Sequence, residues 1–98
     1  MATIGSFKKV GNDYHGEIAT LSLKAKGVRI VAESNAANDK APSHRVFVGR
    51  AEIGAAWSKR SEEGRDYLSL KLDDPSFSVP IYANLVAVDD GYALVWSR

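Results

Sequence analysis

Asp66-Tyr67-Leu68-Ser69-Leu70-Lys71-Leu72 is the stretch on which the fold reading turns. Leu68, Leu70 and Leu72 alternate strictly with Tyr67, Ser69 and Lys71. A period of two sends successive side chains to opposite faces, so the segment reads as a strand with one buried and one wet face. The wet face carries an aromatic ring, a hydroxyl and a cation. Upstream lies a short polar loop, Arg60 to Arg65, in which Gly64 is available for a positive φ. Trp57 and Lys59 stand on its far side and can join the face of Tyr67 and Lys71. Which parity of the run from Ile53 to Lys59 points inward is open, and with it whether Trp57 is core or surface.

Working outward, the same kind of segment recurs between turn signals. Thr3 to Lys9 is a first strand, followed by the turn residues Gly11-Asn12-Asp13. Tyr14 to Leu23 is a second. Its apolar phase changes between Ile18 and Ala19, which predicts a β-bulge or bend there. Val28 to Glu33 is a third. Ser34 to Ser43 (SNAANDKAPS) is the longest expected loop, with room for a short helical turn over Asn35 to Asp39. Arg45 to Val48 and Ala51 to Lys59 flank the hairpin signal Gly49-Arg50. Asp73-Asp74-Pro75-Ser76 is a turn, and Ile81 to Val88 and Tyr92 to Trp96 form a last hairpin around Asp89-Asp90-Gly91. Pro80 falls near a strand start, where its missing N–H is tolerated. Seven or eight short strands at roughly ten-residue spacing, with no amphipathic helix, predict an all-β antiparallel fold, either a small barrel or a sandwich.

The totals agree with one domain over residues 1–98 and narrow the chemistry. Hydrophobic residues make up 45% and charged residues 26%, an ordinary globular balance that argues against wholesale disorder. The formal net charge of +1 is small for a strongly basic nucleic-acid binder, so any such reading rests on local charge. The absence of cysteine excludes disulfides, thiol catalysis and thiolate metal sites. The start of the chain has no apolar signal core, and no apolar run reaches the ~18–20 residues of a membrane helix. A cytoplasmic bacterial protein with no membrane partner is the expectation.

Several segments resemble a known family. They are Met1-Ala2-Thr3-Ile4-Gly5, Arg45-Val46-Phe47, Ile53-Gly54-Ala55-Ala56-Trp57, Gly64-Arg65-Asp66-Tyr67-Leu68-Ser69, Lys71-Leu72-Asp73-Asp74-Pro75-Ser76-Phe77, Pro80-Ile81-Tyr82-Ala83-Asn84-Leu85, Asp90-Gly91-Tyr92 and Trp96-Ser97-Arg98. In order and over nearly the whole chain, they are similar to the small bacterial family catalogued as domain of unknown function 736. The resemblance implies a stand-alone protein of proteobacteria, often encoded on plasmids or mobile elements near conjugation and replication functions. It thereby suggests, by association, a role around DNA transfer or plasmid upkeep. It brings no catalytic residue with it.

The residues themselves point to a non-catalytic binding module. Single-stranded nucleic acid is gripped by rings that stack on bases and by cations that meet phosphates. Trp57, Lys59, Tyr67 and Lys71 form such a platform, with Arg60 and Arg65 as phosphate contacts; Glu62 and Glu63 partly cancel them. The bland alternative makes Trp57 a core plug and Tyr67 a cross-strand stiffener. The rival function is a protein-interaction adaptor, which the near-neutral charge favours. The run Phe77 to Val86 is apolar on both parities, as in a central strand buried on both faces or an edge that pairs with a second subunit. Tyr82 and Asn84 share one of its faces and are candidates for such an interface, including a homodimer.

Enzymatic features are weak. Asp73-Asp74 and Asp89-Asp90 sit in turns, where Asp caps its own backbone, and no third ligand follows at a metal spacing. His15 and His44 flank loops and read as solvated surface residues. There is no nucleophile elbow and no phosphate loop. A small hydrolase requires the aspartate pairs to converge in a pocket with a histidine. No cofactor, metal ligand or catalytic residue is assigned.

Overall fold

Turn residues cut the chain into extended segments, none of which can bury an apolar face alone. The computed structural model describes residues 2–21, 23–33 and 41–96. It contains eight strands: β1 (Ala2–Val10), β2 (Asp13–Ala19), β3 (Lys24–Ala32), β4 (His44–Val48), β5 (Ala51–Arg60), β6 (Asp66–Leu72), β7 (Ile81–Val88) and β8 (Gly91–Trp96). Each strand pairs antiparallel with the next, and β8 pairs back onto β1, which closes the sheet. The fold is an up-and-down barrel, not a sandwich, within 33 × 31 × 27 Å. No described helix is long and apolar enough to cross a membrane.

Local chemistry accounts for the reversals. Gly49 has φ 61° at the first loop position between β4 and β5, the geometry of a two-residue II′ hairpin. The β2–β3 turn is fastened by Thr20, whose Oγ1 accepts the Leu23 N–H at 3.0 Å. The β6–β7 connection is held by Asp74, whose Oδ2 accepts hydrogen bonds from the Ser76 N–H and hydroxyl at 2.9 and 2.5 Å. Those bonds hold the Asp74 carboxyl below its usual pKa.

The barrel interior is apolar. Ile4, Phe7, Ile18, Val28, Ile30, Val46, Ile53, Ala56, Leu68, Leu70, Leu72, Ala83, Leu85 and Leu94 are buried, and no described polar side chain joins them. An eight-stranded barrel is just wide enough for its own side chains to fill. Filling is densest toward the end that carries the β2–β3, β4–β5 and β6–β7 connections, here termed the base. Phe77, Ile81 and Leu23 pack against the core from that side. The opposite end is termed the mouth.

Three β-bulges, all on odd strands near the base, shape the closure. The β1–β8 register shifts between Thr3 and Gly5, leaving Ile4 as an extra residue. In β3 the extra residue lies between Ala25 and Val28, where Gly27 has φ 68°. In β5 the shift falls between Val46 and Phe47, which makes Ile53 the extra residue against β4. A bulge adds one residue, reverses the inward phase and sharpens the twist. The inward pairs of these strands are accordingly three residues apart: Ile4 and Phe7, Ala25 and Val28, Ile53 and Ala56. A glycine accompanies each bulge: Gly5, Gly27 and Gly54.

Four expectations are corrected. β2 ends at Ala19, and the phase change placed between Ile18 and Ala19 belongs to the turn and to a bulge in β3. β3 begins at Lys24, four residues before Val28, because that bulge lets the strand continue. β7 is not a free edge, since β6 and β8 pair with it on both sides. Nor is it buried on both faces: Ala83 and Leu85 point in, while Tyr82 is 60% exposed and Asn84 is exposed beside it. The helical turn proposed for Asn35 to Asp39 lies outside the described residues.

Candidate functional site

Two surfaces gather chemically useful residues. The first is the outer face of β5, β6 and β7. Leu68, Leu70 and Leu72 fill the interior, so Tyr67, Ser69 and Lys71 face outward. The β5 bulge puts Ala56 inside and therefore Trp57 outside. Cross-strand register then places Lys59 opposite Tyr67, Trp57 opposite Ser69 and Ala55 opposite Lys71. On the next strand Tyr82 lies opposite Lys71, and Asn84 opposite Ser69. Trp57 is thus diagonal to both Tyr67 and Lys71, at a spacing of ~7–8 Å between such neighbours. Trp57 and Tyr67 are half-buried and Lys59 is exposed.

Trp57, Lys59, Tyr67 and Lys71 therefore share one face, and Tyr82 and Asn84 extend it. No carboxylate occupies the outward positions between Ala55 and Lys59, between Tyr67 and Lys71, or at Tyr82, Asn84 and Val86. The two arginines stand apart from it. Arg60 belongs to the inward phase at the mouth, and its Nε lies 3.2 Å from Asp66 Oδ1. Both side chains are well exposed, so the pair contributes ~0–1 kcal/mol at most. Arg65 is exposed in the β5–β6 loop, where its backbone N–H donates to Ser61 Oγ at 3.2 Å.

The second surface is the mouth. A cavity of about 580 Å³ opens there, lined by inward residues near the strand ends and also by Lys59 and Tyr67 of the outer face. Its wall carries Tyr14, Tyr92 and His44. The Tyr14 and Tyr92 rings meet edge to face at 4.9 Å, and His44 lies tilted 5.8 Å from Tyr14. Burial, the neighbouring Tyr92 phenol and a hydrogen bond to it hold the Tyr14 hydroxyl above its ordinary pKa. His44 is not the solvated residue expected from sequence. It is half-buried, and its Nδ1 lies 2.9 Å from Ser43 Oγ. Burial lowers its pKa, and nearby Lys9 acts in the same direction. A hydrogen bond with the Asn12 backbone and the charge of Asp13 oppose this only in part.

That depression carries a stability consequence. The unfolded chain takes up the His44 proton near the ordinary pKa of about 6.5, and the folded chain takes it up only at lower pH. The unfolded state thus binds more protons in this window, and stability falls as pH drops below about 6.5. Urea midpoints at pH 7.5 and 5.5 are expected to show this loss, and His44→Gln is expected to lessen it. An equal loss in the variant would remove His44 as its source.

Neither aspartate pair lines the cavity. No group of three or more His, Asp or Glu side chains is arranged to hold a metal ion among the described residues. Alternation alone does not single out the mouth residues, although a signal exists. Tyr14 shares the phase of Ile18, and Tyr92 that of Leu94, so each ring lies on its strand's inner face.

Fold and surfaces together define a small closed antiparallel barrel with an apolar interior, a cation-bearing aromatic outer face and an aromatic mouth. The chain belongs to the family described as protein of unknown function (DUF736), whose model matches residues 3–98. Neither the curated proteins nor the solved structures include a match to it.

Proposed function

We propose that the protein is a non-catalytic binding module that associates with single-stranded nucleic acid through the outer face of β5–β7. One observation carries the reading: three adjacent strands present Trp57, Tyr67 and Tyr82 together with Lys59 and Lys71, with no carboxylate among them. Rings that stack on bases and ammonium groups that meet phosphates are the two components of sequence-tolerant strand binding. Arg65, in the adjoining loop, adds a further phosphate contact. The small net charge then sets a modest affinity rather than excluding the activity. A role around DNA transfer or plasmid maintenance accords with such a module.

The test is fluorescence anisotropy of labelled single-stranded and duplex DNA at two salt concentrations. Single strands are expected to bind better, with a slope of log affinity on log salt of about −2 for three phosphate contacts. Trp57→Ala is expected to cost about 1–3 kcal/mol of binding, the range for one stacked base. Lys71→Ala is expected to reduce both affinity and slope, with the fold of each variant checked by circular dichroism. Binding that ignores salt, or survives both changes in folded protein, would refute the reading.

A protein adaptor using the same face is the second reading. A shallow depression of about 130 Å³ between Ser69, Tyr82, Asn84 and Val95 favours it, because a partner's side chain can seat there. Capture of a defined conjugation or replication component, in the absence of DNA binding, selects this version. A second copy of the chain on the Tyr82–Asn84 surface is the homodimeric form of it.

A further inference from the structure

The mouth cavity is a different site from the outer face, and its construction is specific. Leu68 and Leu85 end the filled part of the core. Ser58 on β5, directly opposite Leu68, and Ala87 on β7, the next inward position beyond Leu85, are two small residues where larger ones would continue the packing. The resulting space of about 580 Å³ falls within the ~300–1,000 Å³ typical of small-molecule sites. Its floor is apolar and its wall aromatic. Among the described residues, Lys9, Lys59 and Arg60 line it against a single carboxylate, Asp66, which Arg60 already engages. Glu62, Glu63, Asp89 and Asp90 occupy connections at the same end but are not among the lining residues. The two tyrosines, His44 and Ser58 add further polar atoms to a lining whose floor is apolar.

We propose that the barrel mouth binds a small planar aromatic anion, its ring against Tyr14 and Tyr92 and its carboxylate or phosphate at Lys9. Rings pack edge to face against rings, and the apolar floor takes the rest of the ligand's surface. The anion remains at the wet rim, where an ammonium can meet it without full desolvation. His44 stays neutral near pH 7 and leaves the positive field to the lysines. The proposal does not rest on the outer-face reading, and its test avoids Lys59 and Tyr67, which both surfaces share.

The experiment is an amide NMR titration with three probes: 4-hydroxybenzoate, adenosine 5′-monophosphate and the neutral 4-hydroxybenzamide. Shifts are expected at Tyr14, His44, Ser58, Ala87 and Tyr92, with at least one anion saturating below roughly 5 mM, as atom-count limits for so small a ligand allow. Response to the benzoate alone, the nucleotide alone, or both identifies a carboxylate, a phosphate or either as the accepted anion. Ala87→Trp fills the cavity and is expected to abolish the shifts; Ser58→Phe is a second plug should the first fail to fold. Lys9→Ala is expected to weaken the anions roughly two- to fivefold, as for an exposed charge pair, and to leave the amide unchanged. The proposal is overturned by silence from both anions, by folded plugged variants that still bind, or by equal weakening of anion and amide. Shifts confined to the outer face would overturn it as well.

Discussion

Gly16→Ala is expected to destabilise the protein by about 3 kcal/mol or more, the upper part of the range for overpacking. Gly16 lies on β2 opposite Phe7 of β1. A Cβ built there would overlap the Ser6 carbonyl oxygen and come within 2.7 Å of both Cα and Cγ of Phe7. These are backbone and ring atoms of a paired strand, so no flexible side chain can swing aside. The ring of Phe7 is itself buried, and pushing it away would open the core. A domain of this length has ~5–15 kcal/mol of stability in total. The loss therefore corresponds to roughly 12–24 °C in melting temperature, or to failure to fold. Thermal unfolding followed by circular dichroism measures it, with Lys24→Ala as a surface comparison expected within ±0.5 kcal/mol. A Gly16→Ala protein that melts within a few degrees of the original would show that β1 and β2 can separate without cost.

Leu70→Ala has the next largest expected effect, about 4–5 kcal/mol, the top of the range for removing a buried leucine. The reason lies in its neighbours. Leu70 is 1% exposed, and its register partners on the two flanking strands are Ala56 and Ala83. Leu70 is thus the one large side chain in this three-strand row. Truncating it would set three alanines side by side, and no adjacent side chain on that row could collapse into the gap. Chemical denaturation gives the value, with the midpoint falling and the slope unchanged if the variant still unfolds in two states. Ser69→Ala, one residue away on the outer face, is expected to change stability by less than 0.5 kcal/mol. Similar losses from the two variants would contradict the inward assignment of the leucines.

Much of the fold is legible along the chain. The strand from Asp66 to Leu72 has the same bounds in sequence and in space. Its alternation is set by a face that must be dry and one that is wet, and no bulge interrupts it. The hairpins at Gly49-Arg50 and Asp89-Asp90 follow from turn chemistry confined to a few residues. The strand bounds that misread, those of β2 and β3, lie beside a phase change. Ile4-Gly5, Lys26-Gly27 and Ile53-Gly54 each break the period of two, and a glycine inside a strand pattern is the one local sign of a bulge. That sign is present at all three places. It gives neither the strand that carries the extra residue nor the side to which the following residues turn.

The outer face depends on that choice. Trp57 lies four residues beyond Ile53, and both would point inward if β5 were regular. The bulge against β4 turns Ala56 inward and Trp57 outward, beside Lys71 and Tyr67. Only the pairing of two strands sets this, because a bulge is defined by what lies opposite it.

The amino-acid sequence by itself determined the strands, most of their turns, the apolar set from which the core is drawn and the local gathering of rings and cations between Trp57 and Lys71. These are short-range properties, fixed by backbone sterics and by the period at which side chains meet water. Tertiary structure alone decided that β8 returns to β1, that β7 has no open edge, that Trp57 faces out, and that Lys9, Tyr14, His44 and Tyr92 meet around one cavity. Those residues come from four strands and span most of the chain. The β1–β2 hairpin relates only Lys9 and Tyr14; barrel closure brings in the others, because eight strands that share one apolar interior must bring alternate ends to a common rim.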